Sequence, residues 1–183
     1  NQNLMIKCLY FVLSVFIELC QKNSMVYQHF LNKECQVYTY LTSYVKKANS
    51  EFNYGEILFN FAFLNSDNDK LQLIKNYHAI KLILEWAKNK DFENEIYSKI
   101  FDICKESSTN IYELVKADIF TFIIDQIKND GLNEKTEILF RIYSRISSFC
   151  LPNSAYFDTL KLISLPTIDN PEKFISLFNS FLE

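Results

Sequence analysis

Two histidines, five cysteines and a handful of paired acids are the residues of this chain whose types suit chemistry. His29 and Cys35 stand six residues apart in the sequence, an arrangement that brings to mind a thiol nucleophile with an imidazole base. No orienting acid and no oxyanion device is written near them, so the pair lacks the parts of a nucleophilic site. A histidine metal site needs Asp, Glu or Cys partners at coordinating spacing, and neither His29 nor His78 has them nearby. Asp67 with Asp69 and Glu93 with Glu95 have the spacing of paired carboxylates. Both pairs fall in turns or at helix starts, where acids satisfy free amides and the positive end of a helix dipole. Ser107, Ser108 and Thr109 form a polar turn that reads as a helix cap, or as a target for a kinase that would place charge at a helix start. The expectation is a chain with no catalytic residue, no cofactor and no metal.

The composition narrows the elements that could position such residues. With two glycines (Gly55, Gly131) and three prolines (Pro152, Pro166, Pro171), the chain has little material for tight hairpins or glycine-rich phosphate loops. Long helices follow, and the 49% hydrophobic content is ample for a buried core. A net charge of −3 lacks the basic footprint that releases phosphate counterions, so nucleic acid is not an expected partner. Charge is uneven along the chain: residues 1–50 carry five lysines against two glutamates, residues 91–137 eleven acids against five lysines. Solvated helix faces account for this, with an acidic docking patch as the alternative. The cysteines are odd in number and widely scattered, and the chain has no N-x-[ST] sequon, which favours a reducing cytosolic or nuclear setting. The apolar run from Cys8 to Ile17 after Lys7 has the length of a signal-peptide core, but no small-residue cleavage site follows and Glu18 interrupts it. It is too short to span a bilayer and reads as a buried helix; no membrane association is expected.

The chain also repeats itself. Leu73-Ile74-Lys75-Asn76-Tyr77-His78-Ala79-Ile80 and Glu113-Leu114-Val115-Lys116-Ala117-Asp118-Ile119-Phe120 open two similar lines 40 residues apart. Three medium helices are expected at Cys35 to Lys47, His78 to Asn89 and Asp118 to Asn129, each ending in lysine, where the helix dipole is negative. Three longer helices are expected around Glu56, Glu95 and Glu137, at offsets of 39 and 42 residues. Leu4 to Cys20 reads as the last helix of an incomplete first repeat. Polar turns at residues 66–69 and 107–110 each precede an expected short helix, and Asn170-Pro171 restarts one near the C-terminus. Periods of this length mark stacked helical units, each unable to bury its apolar face alone.

Units of 40 to 43 residues with short, medium and long helices resemble armadillo repeats. The resemblance implies an all-α, right-handed α-solenoid of about four three-helix repeats with no β-sheet. Residues 1–22 would be a partial first repeat, 23–65, 66–107 and 108–150 full repeats, and 151–183 a degenerate last one, all in one domain of a larger eukaryotic protein. A HEAT-like or irregular solenoid is the alternative. The glycine usual before the second helix is replaced here by Tyr77 and Ala117. In armadillo proteins that carry import signals, successive third helices present a Trp-x-x-x-Asn ladder; the matching positions here are Glu56/Asn60, Glu95/Lys99 and Glu137/Arg141, with Ser14/Glu18 as a first rung. Only Asn60 keeps the family residue.

Protein docking without catalysis is the expected function; for the ladder residues themselves simple i,i+4 stabilising pairs are the favoured reading, with a partner-binding groove as the alternative. Trp86, the sole tryptophan, shares its line with Ser43 and Gln126, which points to partial exposure and a second contact face beside Tyr40, Tyr44 and Tyr77, although core packing against the next repeat is the favoured reading. The line from Val26 to Leu41 is also similar to helical arrays flanking the catalytic domain of large ubiquitin-specific proteases. Formins and BEACH-type proteins carry armadillo-like regions too. A regulatory flank of a multidomain enzyme is therefore the alternative function. The apolar first helix, left open at the end of an array, would allow end-to-end self-association.

Overall fold

The computed structural model describes residues 2–32, 41–43, 54–64, 71–88, 93–130, 134–150, 152–156 and 158, and all regular structure among these is helical. The helices are α1 (Gln2–Lys22), α2 (Ser24–Asn32), α3 (Tyr54–Phe63), α4 (Tyr77–Ala87), α5 (Glu93–Glu106), α6 (Ser108–Lys116), α7 (Ile119–Asp130) and α8 (Glu134–Ser147). Contacts divide the chain into two compact units, Asn1–Glu93 and Asn94–Glu183, and the division falls inside the expected repeat 66–107.

In the first unit α3 packs against both α1 and α4. Its sequence is apolar on nearly every side, and Leu58, Phe59, Phe61 and Ala62 are buried. Phe61 meets Phe16 of α1 edge to face, with ring centroids 5.9 Å apart. Asn23 separates α1 from α2 and caps the latter: its Oδ1 accepts from the backbone N–H of Met25 at 3.0 Å. Tyr27 of α2 donates its hydroxyl to the Lys75 carbonyl, tying α2 to the strand-like approach to α4.

That approach departs from expectation. Residues 71–76 form no helix, although a short one is expected after the turn at 66–69. The N–H groups of Lys75 and Asn76 donate to the Ala62 carbonyl at 2.9 and 3.0 Å, whereas helix formation would have sent them to carbonyls four residues back. Leu64, at φ 46°, ends α3 in the left-handed region and turns the chain toward this hook.

The second unit has the short helix where it was expected. Ser107 caps α6 by accepting from the Thr109 N–H at 3.1 Å. Asn110 is fully buried and sends its Nδ2 to the Ile103 carbonyl of α5 at 3.2 Å, satisfying a polar group that would otherwise be costly in the core. Helix α7 packs on both α6 and α8. Tyr97 of α5 meets Phe122 of α7, and Phe120 of α7 meets Tyr143 of α8, at centroid distances of 6.1 and 5.1 Å. The expected medium helix at Cys35 to Lys47 lies largely outside the described residues, as do the turn at 66–69, Gly131, Pro166 and Asn170-Pro171.

The corner between α6 and α7 places its conformational demand on Asp118, at φ 64°, while Ala117 keeps φ −81°. The residue that glycine would suit is thus one later than the resemblance implies. Asp tolerates the left-handed region better than a β-branched residue does. Asp118→Val is expected to lower stability by about 1–2 kcal/mol and Asp118→Gly to hold or raise it by up to about 1 kcal/mol. Urea denaturation of the two variants checks this, and an unchanged midpoint for Asp118→Val would contradict it.

Candidate interaction surfaces

Helix packing leaves a narrow polar window on α3 and broader polar faces on α5 and α8, each considered within its own unit. On α3, Glu56 and Asn60 are the exposed side chains among residues 55–64, one turn apart. On α5, Glu95 is exposed and Lys99 half-buried. The same ridge continues through Asp102 and Lys105, whose Nζ stands 3.2 Å from Asp102 and 3.9 Å above the Phe101 ring. On α8, Arg141 donates from Nη2 to Glu137 Oε1 at 2.6 Å. This ridge too continues one turn further, where the Arg145 guanidinium lies 4.8 Å over the Phe149 ring. Both arginines of the chain therefore share one exposed ridge of α8. Arg145 and Phe149 extend the four-residue spacing of Glu137 and Arg141, a signal readable from the sequence but not used there.

The first rung differs. Ser14 is half-buried and donates its hydroxyl to the Tyr10 carbonyl at 2.9 Å, an ordinary intrahelical bond. Glu18 is exposed and reaches Lys22 at 3.8 Å.

Trp86 is not a surface residue. It is 2% exposed, in the core of the first unit, and the expectation of partial exposure is corrected. Helix α4 buries Ala79, Ile80, Leu82, Ile83, Leu84, Trp86 and Ala87, a set too wide for one face, so position 86 turns inward with the rest. Polarity on the Trp86 line was a poor guide, because Gln126 on α7 is itself only 8% exposed. Tyr77 and His78 pack ring to ring at 4.0 Å and are half-buried at the start of α4. Tyr40, Tyr44, Cys35, Asp67 and Asp69 lie outside the described residues, as do the side chains of His29 and Glu93.

Among the described residues no group of three or more His, Cys, Asp or Glu side chains is placed to hold a metal ion, and no helix is long and apolar enough to cross a membrane. The described cysteines are free thiols, with Cys8 exposed and Cys20 and Cys104 buried. Burial pushes the Cys104 thiol up to about 12, against a smaller opposing pull from Arg145. It is an inert core side chain, unlike the lowered thiols that act as nucleophiles. Comparison of the chain with protein-family models, with curated proteins and with solved structures finds no match.

Two outcomes follow for Cys104. At pH 8 a thiol reagent should modify Cys8 and leave Cys104 untouched until denaturant is added, as mass mapping would show; rapid native labelling of Cys104 would contradict its burial. The raised value also has a definite sign: the folded state holds the thiol proton more tightly than the unfolded state, whose value is near 9.0. The resulting stability is fully present below about pH 9 and lost as pH rises toward about 12, a slope that Cys104→Ala removes in pH-dependent denaturation.

Proposed function

We propose that this chain is a non-catalytic docking domain built of armadillo-like helical repeats, working in a reducing compartment of the cell, and that it holds protein partners on the exposed polar faces of α3, α5 and α8. The observation that carries the reading is α3. Over residues 55–63 this helix is buried apart from Glu56 and Asn60, so those two side chains are what its described part presents to solvent. Helix α5 contributes Glu95 and Lys99, and α8 contributes Glu137 and Arg141.

The order of α6, α7 and α8, with 9, 12 and 14 residues, supports the short, medium and long succession of an armadillo unit. Opposite charges one turn apart on α5 and α8, and a carboxylate beside an amide on α3, suit a partner segment of mixed charge, because each offers an acceptor beside a donor in a fixed order. As intrahelical pairs alone they would add only about 0.2–0.5 kcal/mol each. Free thiols, including the exposed Cys8, support the reducing setting.

The test compares the wild-type chain with a Glu56→Lys, Glu95→Lys, Glu137→Lys variant in affinity capture from cell lysate, followed by titration of the purified partner. Folding of the variant is verified by circular dichroism. The expected result is a partner held by the wild type and weakened at least tenfold by the triple change, about 1.4 kcal/mol or more. Equal retention by both proteins would reduce the charged windows to stabilising pairs.

A further inference from the structure

The first helix leaves a second kind of surface uncovered. One side of α1 is core, with Leu13, Ile17 and Cys20 at 4–5% exposure, while Leu4, Phe11, Val12, Val15 and Leu19 are 50–65% exposed. With 3.6 residues per turn, these five and the exposed Cys8 fall on one stripe about 100° wide, nearly opposite the buried side. The spacing 4, 8, 11, 15, 19 alternates steps of four and three until its last step, the pattern of a helix–helix seam.

We infer that this stripe pairs with the same stripe of a second copy, the two α1 helices running antiparallel. Three features select that occupant. Area is the first: the stripe exposes on the order of 500 Å² of apolar surface, at the upper end of what a monomer leaves open, and two copies together with their rims reach the roughly 1,000 Å² that a specific interface needs. Self-complementarity is the second. In the antiparallel register whose facing positions add to 23, Leu4 lies opposite Leu19 of the second copy, Cys8 opposite its Val15, and Phe11 beside its Val12, so that no stripe residue faces a charge.

Charge is the third feature, and it fixes direction. Lys7 and Glu18 are both exposed and, eleven residues apart, flank the same edge of the stripe. A two-fold antiparallel pair brings like edges together, which sets Lys7 of one copy within about 3 Å of axial rise from Glu18 of the other, twice over. In a parallel pair the two-fold axis runs along the helices and sets unlike edges together, so the Lys7 and Glu18 edge of one copy meets the far edge of the other and this pairing is lost. The contact Glu18 makes within its own helix, to Lys22, is long at 3.8 Å, and both partners are largely in water, so exchanging it costs little.

This inference goes beyond the docking reading and stands without it. Sedimentation velocity of the 183-residue chain over a wide range of concentration should show a reversible monomer–dimer equilibrium. Phe11→Glu, at a side chain more than half exposed, should leave the circular dichroism unchanged and weaken the dimer at least tenfold. Lys7→Glu should weaken it as well, and adding Glu18→Lys in the same chain should restore it. Val15→Cys should yield, on mild oxidation, a dimer cross-linked through Cys8 of the other copy. A monomer at every concentration would overturn the inference, and so would a dimer indifferent to Phe11→Glu or one without charge-swap rescue. Binding of the monomer to phosphatidylcholine vesicles through α1 would assign the stripe to a lipid surface instead. Loss of lysate capture in the triple Lys variant with the dimer intact bears on the docking reading alone.

Discussion

The burial of α3 is the constraint on which the first unit depends. A helix reading Ile57-Leu58-Phe59-Asn60-Phe61-Ala62-Phe63 has no single apolar face to lay on one neighbour, and burying each of its large side chains is worth roughly 1.5–3 kcal/mol. Only contact on several sides recovers that energy. Helix α1 supplies Phe16 on one side, α4 supplies a helix that is itself buried nearly all round, and the segment before α4 hooks its N–H groups onto the Ala62 carbonyl at the end of α3. In the second unit α7 has the central place, burying Ile119, Phe120, Phe122, Ile123, Ile124, Gln126 and Ile127 and packing on α6 and α8, while Thr121, Asp125 and Lys128 stay exposed.

Much of this was legible in the residues. The scarcity of glycine and proline pointed to helices, and the repeat pattern located α1, α4 and α7 to within a few residues of their observed ends and placed helices around Glu95 and Glu137, where α5 and α8 lie. Ser107 was readable as a cap because its hydroxyl can reach an orphan N–H two residues on. The exposed character of Glu56, Asn60, Glu95 and Arg141 was readable too, since charged and amide side chains interrupt otherwise apolar helices at one-turn spacing.

Three features were not fully legible, each for a tertiary reason. Residues 71–76 carry the apolar spacing of a short helix, but the Ala62 carbonyl, distant in sequence, offers their N–H groups a different partner. The inward turn of Trp86, favoured on packing grounds, was obscured by the polar residues Ser43 and Gln126 on its line, because a polar side chain such as Gln126 can itself be buried. The left-handed corner fell on Asp118, not Ala117, because Ala117 still donates to the Glu113 carbonyl as the last turn of α6 closes.

The contrast between α3 and α1 organises the surface chemistry. Where apolar residues surround a helix and neighbours cover it, the solvent sees only a polar window; where one side stays uncovered, the solvent sees a stripe of Leu, Phe and Val. The most direct measurement of this account is native-state hydrogen exchange resolved by residue. The account predicts that the amides of α3 from Ile57 to Phe63 are the slowest in the first unit and exchange only when that unit unfolds as a whole. Exchange of α3 at the rate of a frayed surface helix, with slower amides elsewhere in the unit, would contradict it.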